Sequence, residues 1–224
     1  MSTPTARSRA PIGPADQLAE HLAAVEGLYA LLPALRAVGD RLIDVYRRHG
    51  RLYTFGNGGS AADAQHLAGE LIGRYLRERR PLPAVSLVTD PTVVSCIGND
   101  FSFDEVFARQ IQALATPGDM VIAFTTSGRS RNVVRGLQEA RDRGAVTVLF
   151  AGGTADGTAD GMPAGEHADF ALVAPATTTA RIQETHLTLL HLLSEHVDAW
   201  AAGAGRRGDD TATAAHDDRQ ETAV

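Results

Sequence analysis

Short apolar runs that alternate with stretches of helical periodicity constrain this chain more than any other feature. Leu52 to Phe55, Ala84 to Leu87, Met120 to Thr125, Val146 to Phe150 and Phe170 to Val173 have strand length. Helical spacing fills the gaps: Ser60 to Leu76, the stretches around Val93 to Ile97 and Phe103 to Ala115, Asn132 to Arg143 and Thr178 to Trp200. Strands joined through helices pair in parallel, because each crossover returns the chain to the same end of the sheet. The expected fold is therefore α/β, a doubly wound, mostly parallel five-stranded sheet flanked by helices on both faces. Such sheets bind ligands beyond the carboxyl ends of their strands, which directs attention to the loops found there.

Ahead of the sheet, Ala15 to His49 carries Leu18, Leu22, Val25, Leu28, Leu32, Leu35, Val38 and Leu42 at helical spacing, interrupted near Pro33. This predicts one or two amphipathic helices, an N-terminal extension that an α/β core does not itself need. Residues 1–14 contain three prolines and little apolar material, and residues 203–224 stay polar to the end. Both are expected to be disordered tails, leaving residues 15–202 as a single domain. Within it, Ala151 to Glu166 is dominated by Gly152, Gly153, Gly157, Gly161 and Gly165 and reads as a mobile loop. No uninterrupted apolar run approaches the ~20 residues of a membrane span, and the N-terminus lacks the apolar segment of a secretory signal. A cytoplasmic location is the expectation, with no membrane partner.

All 21 basic residues among the 224 are arginine. The chain therefore has no amine for Schiff-base aldolase chemistry, pyridoxal phosphate attachment, the phosphate loop of NTPases or the nucleotide contact of protein kinases. A single cysteine, Cys96, excludes an intramolecular disulfide and a thiolate-built zinc site, so any metal needs histidine and carboxylate. The net charge of −6 argues against nucleic-acid binding, and the short cluster Arg74, Arg77, Arg79 and Arg80 reads as a solvated helix end.

Two loops at the strand ends have ligand-binding character. After the first strand comes Gly56-Asn57-Gly58-Gly59-Ser60, where glycines permit close backbone approach and Ser60 is placed to cap the next helix, with Asp63 three residues on. After the third comes Thr125-Thr126-Ser127-Gly128-Arg129-Ser130, again opening a helix. Hydroxyls together with helix N–H groups satisfy phosphate oxygens without lysine.

Groups fit for chemistry lie on the helices. His66 and Glu70, four apart, project from one face as metal ligands do, although the same spacing serves surface pairs. The closing helix adds Gln183, Glu184, His186, His191, Glu195 and His196 beside a leucine face.

These residues together resemble the phosphoheptose isomerases, sedoheptulose 7-phosphate isomerases of the sugar isomerase (SIS) fold, which is flavodoxin-like. The resemblance spans approximately residues 50 to 200. It rests on Gly56-Asn57-Gly58-Gly59-Ser60 with Asp63, His66 and Glu70; Gly98-Asn99-Asp100; Thr126-Ser127-Gly128 with Ser130; and Arg181-Ile182-Gln183-Glu184 with His186 and His191. It implies substrate contacts from Asn57, Gly58, Gly59, Ser60, Glu70, Asn99, Asp100, Thr125, Thr126, Ser127, Ser130 and Gln183. It implies one zinc ion per subunit on His66, Glu70, Gln183 and His191, with Glu70 and His191 as the acid/base pair. A sugar phosphate substrate and a homotetramer with sites between subunits, contacted through the N-terminal helix, complete the expectation.

Gln183 and His191 are eight apart, which on a straight helix means ~12 Å of rise and ~80° of rotation. Either Gln183 lies at an irregular helix start, or the site draws on neighbouring subunits. Arg129 stands where the family usually has asparagine; it either adds a charge-assisted contact to the phosphate or faces solvent. Two other functions fit a SIS fold: a scaffold that binds the bacterial replication initiator protein, and a sugar-phosphate sensor. A scaffold has no physical need for the acid/base and metal set, which is complete here.

Overall fold

The computed structural model describes residues 12–153 and 158–217. The expected tail at residues 1–14 therefore lies largely outside the described residues, as do residues 154–157 of the glycine-rich loop and 218–224 of the C-terminal tail. Elements follow in the order α1 (Pro14–Gly27), a 3₁₀ turn (Leu28–Leu31), α2 (Leu32–Arg47), β1 (Leu52–Gly56), α3 (Gly59–Ile72), β2 (Ala84–Ser86) and α4 (Pro91–Asp100). After a 3₁₀ turn (Phe103–Glu105) come α5 (Ala108–Leu114), β3 (Met120–Phe124), α6 (Arg131–Asp142) and β4 (Val146–Ala151). A last 3₁₀ turn (Gly165–His167) precedes β5 (Phe170–Val173) and α7 (Thr179–Asp217).

The five strands form one sheet in the order β2-β1-β3-β4-β5, with every pairing parallel. β1, β3 and β4 are buried along their whole length, which is why they read as continuous apolar runs. Their side chains divide by alternation. Leu52, Met120, Ile122, Phe124, Val148 and Phe150 enter one core with residues of α2, α3 and α7. Tyr53, Phe55, Val121, Ala123 and Leu149 enter a second with Ile97, Phe107, Ile111, Val133 and Leu137. The strand order reverses between β1 and β3, so their two loops open side by side at the switch point.

The structure corrects several expectations. The N-terminal extension divides in function: α2 starts with Pro33 in its first turn and buries Leu35, Val38, Leu42 and Ile43, so the core does need it. α1 buries only Ala24 and packs on α7. Among the described residues, Pro14–Arg47 is the one segment long and apolar enough to cross a bilayer, but the 3₁₀ turn divides it and α2 spends its apolar face on the sheet. α7 continues past Trp200 to Asp217, into the segment expected as a tail; alanine, the strongest helix former, recurs there at Ala201, Ala202, Ala212, Ala214 and Ala215.

The described part of the glycine-rich loop is also packed, contrary to the mobile reading. Met162 and Ala164 are buried, and the Ala164 N–H donates to Gly128 O at 3.0 Å. The arginine cluster is no solvated helix end either. α3 stops at Ile72, and the Arg79 side chain is fully buried against Asp198 of α7, with Nε 3.0 Å from Oδ1. Arg77 bonds Glu195, Arg74 pairs with Glu78, and Arg80 lies over Trp200. Arg77 and Arg79 are thus held by carboxylates of α7, while Arg74 and Arg80 stay exposed.

Candidate active site

A cleft of about 290 Å³ opens at the switch point, lined by Asn57, Gly58, Gly59, Ser60, Phe124, Thr125, Thr126, Ser130, Thr179 and Gln183. Its floor is built from two helix N-termini. Gly58 adopts φ +57°, which lets α3 begin at Gly59, so Gly58 and not Ser60 is the N-cap. Ser60 is the second helical residue and is buried. Ser130 is the N-cap of α6. Neither helix receives a side-chain cap bond, whereas α4 is capped by Asp90, which accepts from Thr92 N and Val93 N. The two uncapped ends face one cleft together with the hydroxyls of Thr126 and Ser130, a surface suited to an anion.

The loop after β3 is shaped from within. The Thr125 hydroxyl accepts from the Ser127 and Gly128 amides, and Ser127 Oγ accepts from Arg129 N. Ser127 and Arg129 are exposed beside the cleft and do not form its wall. Gly128 has φ +65° and presses on Met162, so the packed return of the glycine-rich loop braces the hydroxyl loop from outside.

Gln183 lies in the second turn of a regular α7, which removes the irregular-start explanation for its position. Its amide packs on Gly59, where an added Cβ would come within 2.7 Å of Cδ. The structure thus places Gln183 on the cleft wall and leaves His191 two turns further along α7 of the same chain. Asn99 and Asp100, at the end of α4, are exposed, bond each other and do not line their own chain's cleft.

The remaining predicted groups converge. His66 and Glu70 from α3 and His191 from α7 place one ligand atom each within 4.8 Å of the others. His66 Nε2 is 3.0 Å from Glu70 Oε1 and 3.3 Å from His191 Nε2. A tetrahedral zinc with ligand distances of about 2.0–2.1 Å spaces its donor atoms about 3.3 Å apart, so the triad fits such an ion and leaves a further position open. Gly59, Asp63, His66 and Glu70 form one stripe of α3, so two of the three ligands stand on the helix that opens at the cleft, His66 about 10 Å and Glu70 about 16 Å along its axis from Gly59. Asp63, buried between them with an unpartnered Oδ2, is pushed up to about 6 by burial against the pull of His66.

Four supporting residues left no signal of this role in the sequence. Tyr75 stacks on His191 with ring centroids 5.7 Å apart. Arg79 donates to the carbonyls of Glu70, Leu71 and Gly73 at 2.6, 2.7 and 3.0 Å, closing the end of α3 just past the triad. Burial pushes the Asp198 carboxyl up, but hydrogen bonds from the Arg77 amide, the Arg79 side chain and the Leu76 and Tyr75 amides outweigh it and hold the carboxyl below its ordinary range. Asn132 pairs with Asn57 across the cleft floor. Thr179, also on the wall, was open to discovery: it ends a run of three threonines just where a helix was expected to start.

Comparison with known proteins agrees with this geometry. Residues 17–152 match the family described as the SIS domain. A phosphoheptose isomerase from Roseiflexus sp. is 45% identical over 166 residues, covering 74% of this chain and 81% of its own. One from Aquifex aeolicus is 49% identical over 148 residues, covering 66% and 74%. The solved phosphoheptose isomerase of Francisella tularensis superposes with a TM-score of 0.76 at 28% identity, over 84% of this chain and 100% of that one. The family match, sequence likeness over most of these chains and superposition on a solved relative lead to one assignment: the chain belongs to the SIS-domain family and, within it, to the phosphoheptose isomerases, which are aldose–ketose isomerases.

Proposed function

We propose that the protein converts D-sedoheptulose 7-phosphate to a D-glycero-heptopyranose 7-phosphate by moving a proton between C1 and C2 through an enediolate. The observation that carries this reading is the His66–Glu70–His191 triad, whose donor spacing suits one zinc ion per subunit. The uncapped ends of α3 and α6, with the Thr126 and Ser130 hydroxyls, hold the 7-phosphate. The sugar then extends along α3 and α7, past Gln183 toward the triad. Glu70 and His191 exchange the C1 and C2 protons, one as base and the other as acid; the stacked Tyr75 fixes the His191 ring. Zinc, when bound, polarises the carbonyl and favours the oxyanion that develops there.

The full site is assigned to a homotetramer. Asn99 and Asp100 sit outside their own cleft, and α1, the 3₁₀ turn after it and α7 present exposed Leu18 and Leu22, Tyr29, and Leu192. Substrate contacts from Asn99 and Asp100 then come from a neighbouring copy, while Gln183 stays on the wall of its own cleft as a substrate contact and not as a zinc ligand. α2 packs in the core, and Arg77 and Arg79 are paired with carboxylates of α7; a cytoplasmic enzyme acting on a small anionic sugar is the reading that follows.

The test is incubation of metal-replete and chelator-treated protein with sedoheptulose 7-phosphate in deuterated water, with NMR of the product. Aldose carrying deuterium at C2, formed only with metal, is the expected result. Folded oligomer giving neither aldose nor exchange overturns the reading in favour of a scaffold or sensor.

A further inference from the structure

The two loops of the cleft are joined by one side-chain contact. Asn57 Nδ2 donates to Asn132 Oδ1 at 2.8 Å, and Asn132 Nδ2 donates to Asn57 Oδ1 at 2.8 Å. Asn57 follows β1, and Asn132 is the second residue of α6, so the closed amide pair spans the switch point. Asn132 is 3% exposed, and its Oδ1 also accepts from Val133 N at 2.9 Å, which fixes the orientation of its amide. The edge that Asn57 turns to Asn132 is consumed by the pair and cannot address a ligand in the cleft.

We infer that Asn132 is a positioning residue: through Asn57 it locks the glycine loop to the hydroxyl loop, so that both address the same ligand. The physical need is plain. Gly56, Gly58 and Gly59 give the first loop wide conformational freedom, and Gly58 already takes a positive φ. A ligand that had to freeze this loop would lose affinity to its ordering, whereas a preformed strut removes that cost beforehand. The strut is remote from Glu70 and His191, so its loss weakens binding and leaves proton transfer intact.

The substrate used in the test rests on the isomerase reading; the strut itself does not. Asn57→Ala, Asn132→Ala and the double variant are compared with the parent protein for KM and kcat with sedoheptulose 7-phosphate. Ligand-free hydrogen exchange is measured at the amides of residues 58–60 and 131–133. For Asn132→Ala the expectation is a KM raised ~10-fold with kcat within about two-fold, the pattern of lost uniform binding. The double variant should be no worse than the poorer single one, because both substitutions remove the same contact. Exchange at residues 58–60 should quicken although the substitution lies in α6. Asn57→Ala breaks the same pair from a half-buried position and should quicken exchange at residues 131–133, which keeps the inference testable where Asn132→Ala impairs folding.

An unchanged KM in Asn132→Ala, or additive losses in the double variant, overturns the inference, as does unaltered exchange at residues 58–60. If the parent protein shows no turnover, the isomerase reading fails, while the exchange measurement still decides whether Asn132 locks the loop.

Discussion

A carboxylate offers two oxygens, and in Glu70 one of them faces His66 at 3.0 Å while the group as a whole stands beside His191. Glu70→Gln keeps the shape and removes the base. Turnover should fall about 10²–10⁴-fold while sedoheptulose 7-phosphate still binds; NMR turnover with parallel titration calorimetry checks this, and full activity would overturn the role. His186 is a different case. Its Nε2 lies 3.0 Å from Ala151 O, which only accepts, so Nε2 carries the proton and the buried Nδ1 is bare. Burial, partly opposed by that hydrogen bond, pushes the imidazole down to about 4. As pH falls below the ordinary 6.5, the unfolded chain binds a proton that the folded one refuses. Stability present above pH 6.5 is therefore lost toward pH 4, by up to about 3 kcal/mol. Urea midpoints at several pH values should show this slope, and His186→Phe should flatten it while leaving Ala151 O the Ala174 amide as donor. His66 and Glu70 were legible as a pair because four residues bring side chains together on one helix. Tyr75 and Asn132 were not, since contacts between distant segments impose no local pattern.

Helix α3 shows how an element serves the site through its ends. At its start Gly59 is required by packing: a Cβ there would press on the Gln183 amide that walls the cleft. Gly59→Ala should displace Gln183 and raise KM, although alanine is favoured over glycine within a helix by about 1 kcal/mol. Kinetics paired with thermal melting separate the two effects, and an unchanged KM would remove Gln183 from the cleft's working surface. At its far end, Arg79 closes the last carbonyls of α3 and is itself neutralised by Asp198. Asp198→Ala strands a buried guanidinium, and breaking such a pair costs about 3–5 kcal/mol, readable as a lowered denaturant midpoint; an unchanged midpoint would show the pair to be dispensable. Most strands and helices could be read beforehand because burial on both faces or on one leaves a distinct period. Helix ends were less legible. α3 ends before Leu76 because Gly73 follows Ile72 and the arginines turn back to α7, while α4 reaches Asp100, so Asn99 and Asp100 are helical residues and not a loop.

Two features of the whole molecule bear on the proposed assembly. Asn99 and Asp100 stand outside their own chain's cleft, and α1 exposes Leu18 and Leu22 beside Tyr29, which with Leu192 of α7 lines an apolar hollow of about 240 Å³. Apolar side chains gathered on one face gain about 25 cal/mol per Å² when water is removed from them, which favours a partner with the same face. The amphipathic spacing of residues 15–49 pointed to such a contact but not to its division: α2 spends its apolar stripe on the sheet and α1 keeps its own free. Charge on that free stripe should therefore separate subunits without unfolding the domain. Leu22→Glu with Tyr29→Glu alters only exposed positions, so the circular dichroism and the melting of each subunit should survive while light scattering reports a smaller particle. If a neighbouring copy completes the site, turnover should fall with the assembly and recover as protein concentration drives reassociation. A dissociated variant that retained full turnover would place the whole site within one chain, and an undisturbed assembly would show that copies meet through another face.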